Sequence, residues 1–118
     1  MFLLITTGPA DREAALPFVA AKGALADGDD VSIVTMADGV HLLTETIDRH
    51  AIDASGLPTV GRAIETLREA DALADAVALR DCCDARDIGE SDLVEWASMD
   101  GERAISRLAA EHDTTLTF

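Results

Sequence analysis

The chain of 118 residues carries 23 acidic and nine basic side chains, for a formal net charge of −14. A chain of this length is expected to form one domain, residues 1–118, and to bury a core without disulfides or metals. The charge disfavours nucleic acid and anionic membranes as partners, and no apolar run approaches the ~18 residues that would span a membrane. Lys22 is the only lysine, and this acidic composition favours a halophilic source, in which salt screens self-repulsion.

The predicted elements alternate between strands and helices along the chain. The first predicted strand is a short apolar run without alternation, which is typical of a strand buried on both faces, and the third is also a short apolar run. The predicted strands are residues 2–6, 31–36, 76–79, 93–97 and 114–118. The predicted helices are residues 12–27, 40–49, 59–70, 82–87 and 100–112, with a loop at 52–58.

Several residues are expected to punctuate these elements. Asp11 is a predicted cap of the first helix, in which Pro17 either introduces a kink or marks the true first turn. Gly28 is predicted to end that helix, and Asp100 to cap the last one. Trp96 lies near the end of the predicted fourth strand, where either an interface or the core of the monomer would take it.

Alternation of this kind predicts an α/β fold with three layers, α/β/α, around a mostly parallel five-stranded sheet. Ligands of such sheets bind outside the carboxyl ends of the strands. Three loops are predicted at that edge. They are residues 7–9, 37–39 and 81–84.

The third loop contains Cys82 and Cys83, the only thiols of the chain. A thiol at a helix N-terminus is more readily ionised, and the thiolate is the nucleophile. Arg80 and Arg86 would add positive potential, whereas the flanking aspartates would oppose it. The structural alternative is that one cysteine packs as a small buried hydrophobe and the other is inert.

The cysteines are not expected to form a disulfide with each other. Their Cα atoms lie about 3.8 Å apart, below the ~4.4 Å minimum that is usual for a disulfide. Free thiols and the absence of a signal-peptide pattern suggest a cytoplasmic protein. No metal-binding spacing or nucleotide motif occurs, so no metal or cofactor is expected. His41, after the second strand, is the one histidine expected near the site.

In order and spacing, several segments resemble the DsrE/DsrF/TusD-like family of small sulfur-relay proteins. Gly8-Pro9 and an Ala-rich helix follow the opening strand, and Gly28-Asp29-Asp30-Val31 leads into the second strand. Ala37-Asp38-Gly39-Val40-His41-Leu42-Leu43 follows that strand, and Cys82-Cys83-Asp84-Ala85-Arg86 follows the third. The final helix and strand, residues 104–118, match in kind.

The resemblance implies a DsrE-like α/β/α fold assembled as a homo-oligomer, a trimer or a hexamer. It also implies a cysteine after the third strand that carries a persulfide sulfur from a donor protein to an acceptor protein. Many relatives have a C-x-x-C pair there, followed by small residues, Arg and Gly. In an ungapped alignment Cys82 falls on the second cysteine of that pair, Leu79 on the first, and Asp87 on the glycine.

Three hypotheses remain open. The first is a sulfur carrier whose chemistry centres on Cys82, with Cys83 assisting or resolving. The second is a non-catalytic, oligomeric binding or assembly module in which both cysteines are structural. The third is a small-molecule binder that uses the Gly8 and Gly39 loops.

Overall fold

The computed structural model describes all 118 residues, which are arranged around a five-stranded sheet. The strands lie in the order β4-β3-β2-β1-β5, and every neighbouring pair is parallel. Their bounds are Phe2–Ile5 (β1), Val31–Thr35 (β2), Leu73–Leu79 (β3), Ser98–Asp100 (β4) and Thr115–Thr117 (β5). The predicted parallel α/β sheet is confirmed.

Helices cover both faces of the sheet, as the prediction of three layers required. The α-helices are Leu16–Ala26 (α1), Val60–Glu69 (α2), Arg80–Asp84 (α3) and Arg103–Glu111 (α4). Four 3₁₀ segments join them: Arg12–Ala15, Ala37–Leu43, Arg49–Ala51 and Glu90–Asp92. The larger core, of 23 buried residues, lies between the sheet and α1 and α2. The smaller core, of five, lies between the opposite face and α4.

Connection order explains this division of the helices. From β1 to β4 the chain moves steadily toward one edge of the sheet, and it then returns past β1 to add β5 at the other edge. Parallel crossovers are right-handed, so connections that run in opposite directions place their helices on opposite faces. The direction reverses between β1 and β5, which makes the carboxyl ends of these strands the expected position of a crevice.

The local signals predicted for the first long helix are confirmed. The Asp11 carboxylate accepts a hydrogen bond from the Glu13 N–H at 2.9 Å. Pro17 is in the first turn of α1, where a missing N–H costs no hydrogen bond. Gly28 has a φ of +77°, the left-handed conformation that ends a helix. Thr59, predicted as the first residue of its helix, is instead the cap of α2, where its hydroxyl accepts from the Arg62 N–H at 3.1 Å.

The predicted helix at 40–49 is wrong. The segment Ala37–Leu43 is a 3₁₀ helix, and Thr44 is already extended and forms an isolated antiparallel bridge with Leu93. Val40, Leu42 and Leu43 are all buried, so the chain turns apolar side chains inward on more than one side. An amphipathic α-helix would have left one side to solvent.

The predicted fourth strand at 93–97 is also wrong. The β4 strand is Ser98–Asp100, and Leu93 and Val94 are buried in the turn that precedes it. The Val94 N–H donates to the Leu43 carbonyl at 2.9 Å. This backbone group is therefore paired with the segment after β2 and not with a strand of the sheet. Trp96 is half-buried against the core of the monomer.

The start of α4 and the bounds of the third strand and α3 differ from the predictions as well. Asp100 is the last residue of β4 and does not cap α4, which begins at Arg103. Its carboxylate accepts instead from the adjacent Gly101 N–H at 2.8 Å. The β3 strand begins three residues earlier than predicted, at Leu73, and α3 begins at Arg80 rather than Cys82.

Candidate functional site

Three loops meet at the carboxyl edge of the sheet, as predicted. The segment after β1 approaches the segment after β2 so closely that a Cβ on Gly39 would lie 2.5 Å from the Ile5 carbonyl oxygen. A Cβ on Gly8 would likewise lie 2.9 Å from the Asp38 carbonyl oxygen. Glycine is therefore required at both positions for close approach of two backbones. This contact holds the Ala37–Asp38 segment against the segment that follows β1.

Cys82 is half-buried and is the third residue of α3. The backbone N–H of Ala37 donates a hydrogen bond to the Cys82 sulfur at 3.2 Å. Ala37 has a φ of +49°, which is uncommon outside glycine and costs roughly 1–2 kcal/mol. The strained residue is thus the one that directs a donor at the thiol.

Cys83 is fully buried and belongs to the larger core. Burial raises the pKa of its thiol above the ordinary value, and the neighbouring Cys82 and Asp84 raise it further. Arg86 and Arg80 oppose these effects without reversing them. A buried thiol that resists ionisation is a poor nucleophile, so Cys83 is unsuited to nucleophilic chemistry. The adjacent Cys82 differs from it in being partly exposed.

Arg86 joins the second and third loops. Its Nε and Nη2 atoms both donate to the Asp38 Oδ1 atom at 3.1 Å. Its Nη1 atom donates to the Cys82 carbonyl at 3.1 Å. The guanidinium therefore braces the loop that presents the Ala37 N–H against the helical turn that carries the thiol.

Arg80, by contrast, is directed away from the cysteines. Its Nη2 atom donates to the Met99 carbonyl at 3.2 Å, and its Nη1 atom lies 3.4 Å from the Glu90 Oε1 atom. Its contacts are made with β4 and with the 3₁₀ segment before it. Of the two arginines expected to flank the thiols, only Arg86 contacts a cysteine residue.

A shallow polar cavity of about 430 Å³ lies beside this site, at the carboxyl end of β1. Its lining is formed by Thr6, Thr7, Gly8, Pro9, Ala10, Asp11, Asp38 and His41. The segments after β1 and β2 form this lining and β5 contributes nothing to it, so the cavity lies beside the crevice expected between β1 and β5 rather than in it. Asp38 is common to the cavity and to the Arg86 brace, so the two features adjoin each other.

Of the three histidines, His41 alone lines this cavity, in agreement with the prediction. His50 is exposed, with its Nε2 atom 2.9 Å from Glu65 Oε1. The His112 ring lies at the opposite end of the sheet, where its Nε2 atom is 3.0 Å from the Ser32 hydroxyl. No three or more His, Cys, Asp or Glu side chains converge as a metal site would require. None of the helices has the length and apolar character needed to cross a membrane.

The residue that sequence reasoning missed is Ala37. It acts through its backbone N–H, which leaves no trace in the residue type, and only its unusual φ distinguishes it. The contact between Arg86 and Asp38 was missed as well, because 48 residues separate the two in the chain. The one signal of this contact in the sequence was Arg86 itself, a basic residue four positions after Cys82.

Comparison with known proteins bears on the identity of the fold. The sequence model of the DsrE/DsrF-like family matches residues 1–118 of this chain. No curated protein matches the chain. Two similar solved structures are a protein of unknown function, MTH1491 from Methanobacterium thermoautotrophicum, and the YchN protein from E. coli.

Both structures have a TM-score of 0.71 and cover 99% of this chain. The MTH1491 protein is 15% identical with 96% of its own chain covered, and YchN is 16% identical with 97% covered. At these low identities the similarity shows a shared fold and nothing more. The match of the family model extends over the whole chain, and the chain therefore belongs to the DsrE/DsrF-like family, a family of the sulfur-relay type.

Proposed function

We propose that this protein is a persulfide sulfur carrier of intracellular sulfur transfer in which Cys82 is the nucleophile. The observation that carries the proposal is the hydrogen bond from the Ala37 N–H to the Cys82 sulfur at 3.2 Å. A hydrogen bond donated to the charged form of a group favours that form. Cys82 is also accessible, whereas Cys83 is fully buried.

The transfer needs no oxidant. The Cys82 thiolate attacks the terminal sulfur of a donor persulfide, R–S–SH. The donor S–S bond breaks, its electron pair leaves with the donor as the thiolate R–S⁻, and a new S–S bond forms on Cys82. An acceptor thiolate then attacks the terminal sulfur of the Cys82 persulfide and regenerates the Cys82 thiolate. One S–S bond is broken and one is made in each step.

The residues around Cys82 would position this chemistry. The Ala37 N–H stabilises the negative charge that Cys82 bears before attack and recovers after transfer. The Arg86 guanidinium keeps the Ala37 loop and α3 in contact through Asp38 and the Cys82 carbonyl. The cleft beside Asp38, lined by His41, supplies open space at the edge where a donor or acceptor chain would approach.

Mass spectrometry after incubation with a small-molecule persulfide donor tests the proposal. The wild-type protein and Cys83→Ala are expected to gain one sulfur atom, about 32 Da, and to lose it to an added thiol acceptor. Cys82→Ser is expected to gain none. An adduct that persists in Cys82→Ser, or a wild-type protein that forms no adduct, would refute the assignment.

A second candidate is a non-catalytic binding or assembly module. It is favoured by Leu79, a buried residue at the end of β3 that stands where the resemblance would place the first cysteine of the C-x-x-C pair. In this reading Cys82 is a structural acceptor for the Ala37 N–H. Wild-type protein that stays free of adduct under conditions that load a known persulfide acceptor would favour the module over the carrier.

We further propose that the protein works in the cytoplasm as a homo-oligomer, a trimer or a hexamer. Membership of the DsrE/DsrF-like family supports an assembled form. Donor and acceptor proteins are the partners that a carrier needs, and a net charge of −14 argues against nucleic acid. Light scattering that gave a strictly monomeric mass in high salt would contradict the oligomer.

A further inference from the structure

The outward face of α1 is unlike the rest of the protein surface. Its exposed positions are Leu16, Val19, Lys22, Gly23 and Ala26. Leu16 and Val19 are 41% and 42% exposed and are the large hydrophobic residues that the fold leaves in solvent. Lys22 is the one charged side chain of the eleven-residue helix, in a chain that is 27% charged.

An apolar helix of this kind is normally covered on every side. The inner side of α1 already packs on the core through Phe18, Ala21 and Ala24. Apart from Lys22, the outer side has no polar side chain that water would solvate favourably. Single exposed apolar residues are common on protein surfaces, but a row of them at helical spacing indicates a contact surface. Something outside this chain is expected to cover it.

The order of residue sizes on this face points to a second copy of the same chain. Leu16 and Val19 occupy the N-terminal half, and Gly23 and Ala26 occupy the C-terminal half. A Cβ added at Gly23 would meet nothing within 4 Å, so the surface there is open. If two copies of α1 pack antiparallel about a twofold axis near Ala21, Val19 faces Gly23 of the other copy, and Leu16 faces Ala26.

We propose that α1 forms an antiparallel, twofold-symmetric contact between two copies of this protein. A twofold interface must be complementary to itself, and here each bulky residue meets a small one twice. The helix carries no Asp or Glu, so two chains of charge −14 can meet along it without carboxylates of α1 opposing each other. Lys22 lies one residue from the proposed axis, so the contact brings the lysines of the two copies near each other, and this like-charge pair opposes association until salt screens it. The inference concerns the surface alone and stands apart from the thiol chemistry.

The contact is expected to be weak when it acts alone. One helix pair of eleven residues covers less than the ~800 Å² per partner of a standard interface. Repulsion between two strongly acidic chains adds to this at low ionic strength and is screened at high ionic strength. Association should therefore depend on protein concentration and strengthen with added salt.

Sedimentation equilibrium across salt concentrations tests the surface. Val19→Asp places a carboxylate at the centre of the face and should raise the dissociation constant of the twofold contact at least tenfold. Ala109→Asp adds the same charge to an exposed position of α4 and is the matched control, expected to associate like the wild type. Equal association of the two variants, or a wild type monomeric at every salt and protein concentration, overturns the proposal.

Oxidative cross-linking tests the direction of the helices, in a Cys82→Ser background that leaves only the buried Cys83. A mixture of Val19→Cys and Gly23→Cys chains should yield a covalent dimer that contains one of each, identified by its mass. Either variant alone should cross-link far less, because the antiparallel register separates like positions. Preferential cross-linking of Val19→Cys with itself would indicate a parallel or non-specific contact and overturn the proposed geometry.

Discussion

Substitution of Gly39 by alanine should destabilise the protein and disturb the site together. The new Cβ would stand 2.5 Å from the Ile5 carbonyl oxygen, whereas real Cβ atoms essentially never approach within 3.0 Å. The backbones after β1 and β2 must therefore separate by about 0.5 Å, the difference of these distances, and neither can rotate away as a side chain would. Overpacking costs about 1–3 kcal/mol, and a clash with backbone belongs in the upper part of that range.

A loss of about 2–3 kcal/mol corresponds to a Tm lower by about 8–12 °C for a domain of this size. The movement also carries Ala37 away from the Cys82 sulfur, so Cys82 should be alkylated more slowly at neutral pH. Calorimetry and alkylation followed by mass spectrometry measure the two effects.

Gly101→Ala is the matched control, because no atom lies within 4 Å of its added Cβ. Its stability is expected to stay within about 0.5 kcal/mol of the wild type. If Gly39→Ala were equally harmless, the close approach of the two loops would not be the constraint on this site.

Two further predictions concern the thiols and their neighbours. Arg86→Gln removes the brace between the loops and should slow alkylation of Cys82 several-fold, while unfolding changes by only about 1 kcal/mol because the partner Asp38 side chain is 74% exposed. An unchanged alkylation rate would show that the Ala37 loop keeps its place without the arginine. The raised pKa of Cys83 predicts that its contribution to stability is complete below the unfolded thiol value of 9.0 and is lost as the pH rises through the higher folded value. Urea unfolding between pH 7 and 10.5 should show this decline, at most about 1.4 kcal/mol per pH unit, in the wild type and not in Cys83→Ala; equal slopes would contradict the assignment.

Sequence patterns predicted the structure correctly where a single element's burial pattern or a single residue type determines the local conformation. The unbroken apolar run of β1 indicated a strand buried on both faces, and Asp11 and Gly28 marked helix ends through their own side-chain and backbone chemistry. The predictions failed at 40–49 and 93–97, where apolar residues are buried by the meeting of two loops. Periodicity cannot distinguish such a meeting from a helix or a strand, since each segment alone shows only that its residues avoid water.

For this protein, local chemistry determined the α/β class, the parallel sheet and the edge of the sheet where the thiols lie. Only the tertiary structure distinguished Cys82 from Cys83. The two residues are chemically identical and adjacent, yet α3 turns one into the core and leaves the other beside the Ala37 N–H. That donor reaches the sulfur because glycines let the first two loops meet and because Arg86 ties the second loop to the third. These contacts join residues far apart in the chain, so no local pattern encodes them.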